Sequence, residues 1–419
     1  MMKRSTWMIV LIVLFSLCLF GAKLTFWTAP NPQQEAFWKQ IVAQWNALHP
    51  DIQIDWKTIP ASGSSEEAIL TSIASGQGPD LCTNIFSGFA AQLIEAEILV
   101  PLDTLEGFES LVEQRKMGEA LKGWETNGHS YVLPIYSNPM LFWWREDILK
   151  DAGFDTPPRT YGEILALAEK ICIPKERYVI QFIKGRNWWD RWFDFITFYY
   201  AASDGKPYVD INRGRALFND EYGKELSSFV YTLFENGWTA VDLLDNPLYT
   251  GAIVGSLEGP WNMPWAQNLF PDVYPEKIVF SAPPVPDSYP EDQPVKTFAD
   301  TKGLVLFNYS KYQKEAWQFV QWVFSNAEND RLWLEMTNLP PVRSDLVTNP
   351  LFADIMQANP GLAEYAKYVP LAVPPVLSPR FVEIQDTMSQ FLTEPLSLLK
   401  GKPEDILSNA AKMVNRELF

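Results

Sequence analysis

The sequence is poor in the residues from which most active sites are built. Its 419 residues hold two histidines, His49 and His129, and three cysteines. No HExxH or CxxC occurs, so the ligand spacing of a zinc site is missing. His49 precedes Pro50 and His129 follows an Asn-Gly pair, so both read as solvated turn residues. A Ser-His-Asp triad would need one of them, and there is no G-x-S-x-G elbow. Gly76-Gln77-Gly78 runs into Pro79, which breaks a dinucleotide loop, and no Walker sequence is present. No metal or cofactor is expected. Cys82 and Cys172 are expected as free buried thiols, since two cysteines in so large a chain build no disulfide framework.

Positive charge is also short: 34 Lys and Arg stand against 51 Asp and Glu, a formal net charge of −17. Lys3 and Arg4 precede the apolar run WMIVLIVLFSLCLF at residues 7–20, the pattern of an export signal over residues 1–22. Cleavage near Gly21-Ala22 or retention as an anchor both stay open. Removing that segment takes two positive charges and moves −17 to −19. Such a surface argues against nucleic acid and anionic membrane as partners. After residue 20 no run is long enough to span a bilayer.

Aromatics, by contrast, are plentiful, with 17 tryptophans. The length exceeds one ordinary core, which predicts two lobes. KLTFW (23–27), DIQIDWKTIP (51–60) and LCTNIF (81–86) read as strands. Asn31-Pro32 opens a helix carrying Phe37, Ile41, Trp45 and Leu48, and Ser64 with Glu67 forms a capping box for another. Strand–helix–strand–helix–strand predicts a parallel α/β sheet with ligands gathering beyond the strands' carboxyl ends. Those ends are Trp27-Thr28-Ala29, the loop after Thr58, and Asn84–Ser87. Further on, the spacing predicts an Asn-Gly hairpin at 127–128, strands at LFWWRED (141–147) and TKGLVLF (301–307), and helices at 160–172, 312–324 and from Pro403. Five prolines in residues 282–294, and the proline passages near 340 and 374, predict that the chain crosses between lobes more than once.

Two aromatic stretches stand out. EGPWNMPW (258–265) follows the strand-like AIVGSL and reads as a turn holding Trp261 and Trp265, buried by its own fold or covered by a flat apolar ligand. NWWDRWFDFITFYY (187–200) places Trp188, Trp192, Phe195 and Tyr199 on one helical stripe, the pattern of a core face, with Trp189 off it near the end that could line a cleft. Glu258 and Asp190 are the acidic residues beside these rings. They suit either a hydrolytic carboxylate pair or plain acceptors for sugar hydroxyls. Asn138 and Arg380 are polar residues of apolar or loop passages; with Trp261 they have the composition of a carbohydrate cleft.

Several passages taken in order resemble the extracellular solute-binding proteins (family 1) of sugar ABC transporters, the group that includes maltose-binding protein. They are LTFWTAPN, Gly76–Leu81 (GQGPDL), AQLIEAEILVPLD, Gly128–Pro134, FWWREDILKDAGFDTPPRTYGE, Gly259-Pro260-Trp261, Pro340–Arg343 and Ser378-Pro379-Arg380. Glu97 and His129 stand where the family usually has glycine and lysine. The resemblance implies a periplasmic-binding-protein-like fold, with two α/β lobes joined by crossing strands. It implies an N-terminal lobe of residues 23–135 and 298–350 and a C-terminal lobe of 136–297 and 351–419. It also implies a monomeric, exported, non-enzymatic receptor that closes on a sugar, an oligosaccharide given the tryptophan content, and delivers it to the permease of an ABC transporter. Its ligand contacts would be Trp27, Thr28, Asn84, Phe86, Ser87, Asn138, Trp188, Trp189, Trp192, Glu258, Trp261 and Arg380. The rival readings are a secreted glycoside hydrolase and a receptor of the same fold for a non-sugar solute.

Overall fold

The computed structural model describes residues 21–60, 63–182, 193–241, 243 and 246–418. The expected export signal, but for its last two residues, and the stretch with Trp188, Trp189, Asp190 and Trp192 lie outside them.

β1 (Ala22–Thr28) pairs in parallel with β2 (Ile52–Thr58) and β3 (Leu81–Ile85), as the strand–helix alternation predicts. The intervening helix Pro32–Leu48 starts where expected because Asn31 Oδ1 accepts from the amides of Gln33 and Gln34. Its stripe buries Phe37, Trp38, Ile41 and Trp45, while Leu48 ends up 65% exposed. The Ser64–Glu67 capping box is present at the head of the helix Ser65–Ala74. The Asn-Gly hairpin forms with Asn127 and Gly128 both at positive φ, 54° and 78°, the requirement of a tight two-residue turn.

β4 (Leu133–Pro139) stays in this first sheet, and only Met140 separates it from β5 (Leu141–Arg145), which belongs to a second. The second sheet adds β6 (Tyr178–Gln181), β7 (Thr239–Ala240), β8 (Ile253–Glu258) and β9 (Ile278–Ser281), in the order β7–β6–β8–β5–β9. After the proline passage the chain returns as β10 (Thr297–Leu306), which starts four residues before the expected strand. It pairs antiparallel with β3 and β4 and parallel with β11 (Ala372–Val373), so the first sheet runs β11–β10–β3–β1–β2 with β4 on β10. Val342 packs into the first sheet's core and Leu346 into a cluster with Trp143 of the second, so the passage near 340 is also a crossing.

Trp38, Trp45, Trp124, Trp143, Trp144 and Trp333 are almost wholly buried. With Trp27 and Trp317 they make eight of the 13 tryptophans among the described residues, all packed in hydrophobic cores. Phe195 and Tyr199 are buried as their stripe predicts. Cys82 and Cys172 are free, the first buried and the second partly so. His129 is not merely solvated: its Nδ1 lies 2.9 Å from Asp103 Oδ2. Likewise His49 stacks on Trp45 at 3.7 Å. Among the described residues no helix is long and apolar enough to cross a membrane.

Candidate functional site

A cleft of about 1290 Å³ is lined from both sheets. Its floor is the antiparallel pair β4–β10. Asn138 stands opposite Asp300 and Tyr136 opposite Lys302 in the register. Because strand side chains alternate, Tyr136 and Asn138 on one strand and Phe298, Asp300 and Lys302 on the other reach the same space. Lys302 Nζ is 3.8 Å from Asp300 Oδ2. That carboxylate holds the ammonium's pKa well above its ordinary value, with burial pulling the other way and Tyr136 and Glu66 adding to the rise. Burial pushes the Tyr136 hydroxyl up to about 12, and its ring stacks on Trp333 at 5.6 Å. Asn138 is 3% exposed, and its buried Oδ1 has no hydrogen-bond partner among the described residues.

One wall comes from the carboxyl ends of β1 to β3: Asn31, Gln33 and Gln34 at the first helix start, Ser64 and Glu66 at the second, and Phe86 after β3. These are helix N-termini, so the polar side chains project from backbone that capping has already fixed.

The opposite wall hangs on the end of β8. Trp143 Nε1 donates to the Tyr365 hydroxyl (2.7 Å), which donates to the carbonyl of Glu258 (2.8 Å). The Glu258 carboxylate accepts from Ser256 Oγ (2.7 Å) and from Asn262 Nδ2. Burial nonetheless raises its pKa above the usual 4.5, outweighing those two hydrogen bonds. Gly259 and Pro260 turn the chain, and Trp261 and Trp265 face the cleft at 37% and 40% exposure. EGPWNMPW is not a turn throughout. A helix, Asn262–Leu269, begins directly after Trp261, with Pro264 in its first turn, where a missing N–H costs no helical bond. Trp265 packs edge-on to Tyr249 and Phe270 at 5.6 and 5.3 Å, and also lines the cleft.

Of the residues singled out from sequence, the cleft brings together Phe86, Asn138, Glu258 and Trp261. It does not reach Trp27, Thr28, Asn84, Ser87 or Arg380. Trp27 packs at 8% exposure among Ile59, Ile69 and Phe89; Thr28 is fully buried, its hydroxyl accepting from Trp56 Nε1 at 3.0 Å. A sheet covered on both faces buries its strand ends, so the next helix start supplies the contacts instead. Ser87 is fully buried in the same way. Asn84 takes a left-handed turn (φ 63°) and its Nδ2 donates to Ser65 Oγ at 3.4 Å. Arg380 is exposed and pairs weakly with Glu383 at 3.5 Å, while Phe381 and Gln385 behind it line the cleft. Trp188, Trp189 and Trp192 are outside the described residues. The residues not foreseen are Gln34, Glu66, Tyr136, Asp300, Lys302 and Gln385. A period-two signal was available for four cleft residues, in Tyr136-x-Asn138 and Asp300-x-Lys302.

Residues 29–330 match the family profile described as bacterial extracellular solute-binding protein. Among solved structures, an uncharacterised protein of Listeria monocytogenes EGD-e superposes with TM-score 0.89 and 34% identity, covering 95% of this chain and 100% of that one. A cyclic alpha-maltosyl-1,6-maltose binding protein of Arthrobacter globiformis has the same fold, with TM-score 0.82, 18% identity and coverage of 95% and 99%. By sequence, an arabinooligosaccharide-binding protein of Bacillus subtilis (strain 168) is 26% identical over 167 residues, 36% of this chain and 38% of that protein.

Proposed function

This chain belongs to the bacterial extracellular solute-binding proteins, and from that premise we propose that it captures an oligosaccharide between its two lobes and hands it to an ABC transporter. The lobes are the two sheets with their helices, and the crossings at Met140 and residues 282–296 supply the hinge. Closure would bring the indoles of the second lobe toward the polar floor of the first.

One observation carries this reading: two indoles, each more than a third exposed, share a cleft with a strand pair presenting an amide, a carboxylate and an ammonium. A pyranose needs both, since its C–H faces are apolar and its hydroxyl edges are polar. Each stacked ring contributes about 1 kcal/mol beyond burial. The solved and curated relatives named above as binding maltosyl and arabinosyl oligosaccharides lend this direction support.

The reading has four further parts. The protein works outside the cytoplasm after export by residues 1–22, acts as a monomer, docks on permease subunits when closed, and cleaves nothing. Tryptophan fluorescence during incubation with an oligosaccharide panel tests it. The expected result is a saturable change with no new reducing ends. Release of reducing ends that stops in Glu258→Gln would establish a hydrolase instead.

A further inference from the structure

We infer that Gly259 is a positioning residue for the ligand platform: its missing side chain is the space in which the Trp261 indole lies. A Cβ built on Gly259 would stand 2.1, 2.2 and 2.5 Å from Cζ3, Cη2 and Cε3 of that indole. No carbon tolerates such an approach. The usual reason for glycine does not apply, because Gly259 is not among the glycines with positive φ. The position demands room for a ring, not a special turn.

The rest of the mount is rigid. The Glu258 carbonyl is pinned through Tyr365 to Trp143 in the second sheet. Pro260 fixes its own φ. Trp261 itself sits at helical φ and ψ of −62° and −20°, leading straight into the helix Asn262–Leu269. With the backbone held on both sides, a methyl group at 259 can be relieved only by moving the indole off its seat. The ring's position in the cleft is thus set by the residue two before it.

This inference rests on the reading of Trp261 as the ligand platform, and a double-mutant cycle separates the two. Gly259→Ala, Trp261→Ala and the double variant are titrated with whichever oligosaccharide binds the full-length wild-type protein, and their thermal midpoints are recorded. Gly259→Ala is expected to weaken binding at least about tenfold, and the double variant to bind no worse than Trp261→Ala alone. Should Gly259→Ala fold poorly, the double variant is expected to recover a midpoint near that of Trp261→Ala, because the colliding ring is gone. Losses that simply add, or a folding defect that persists without the indole, would overturn the role of Gly259. Full affinity in Trp261→Ala would instead overturn the platform.

Discussion

At the residue scale, exposure separates the tryptophans of the cleft from those of the core. Trp261 keeps 37% of its surface accessible, whereas Trp143 on β5, the strand paired with β8, keeps none. Trp261→Ala is expected to weaken oligosaccharide binding about tenfold while the thermal midpoint moves little, and a differential scan beside a titration checks both. Glu258 makes a second prediction. Its carboxyl is raised above 4.5 by burial, so the folded protein holds that proton longer than the unfolded chain. Its stabilising contribution is present below about pH 4.5 and is lost as pH rises through the higher folded value. Glu258→Gln cannot ionise. Its midpoint relative to wild type is therefore expected to rise as the pH increases above about 4.5, which a melting series in matched buffers reads directly. Trp261 and Glu258 line the cleft, and their place in an aromatic turn after a strand is what drew attention to them in the sequence. Trp27 misled: its place at a strand's carboxyl end says nothing of the second layer of side chains, such as Phe89, that covers it.

At the element scale, β4 and β10 matter most, and they were only half legible. TKGLVLF reads as a strand because it is apolar. TFAD ahead of it does not, yet pairing with β4 extends the strand through it and delivers Phe298 and Asp300 to the cleft. Long-range pairing decided what local propensity could not. β4 is also tied from behind. Arg115, fully buried, donates to the carbonyls of Pro134 (2.8 Å) and Ile135 (2.7 Å) and pairs with Asp330 at 2.9 Å. Asp330 in turn pairs with buried Arg343 at 3.2 Å. Asp330→Ala leaves buried Arg115 without its carboxylate, while Arg343 keeps Asp345 at 2.9 Å, and is expected to cost about 3–5 kcal/mol in denaturant unfolding. At the first helix start, Asn31→Ala removes a cap and is expected to cost about 1 kcal/mol by the same measurement.

At the scale of the whole molecule, two sheets joined by crossings leave a cleft that neither fills alone. The α/β alternation and proline passages made that architecture legible in the sequence. Which polar groups would face one another across the gap was not, because Glu66, Asp300 and Gln385 are far apart along the chain and meet only through topology. Binding is expected to bring the lobes together, lowering the radius of gyration in solution scattering at saturating ligand. The claim that the cleft captures an oligosaccharide through its indoles is tested most directly by isothermal titration of the wild-type protein and Trp261→Ala with neutral α-glucan and arabinan oligosaccharides. We predict one-to-one binding at micromolar strength or better, roughly −8 kcal/mol, for at least one of them, weakened about tenfold in the variant. Binding of equal strength in both proteins, or no heat from any oligosaccharide, would contradict it.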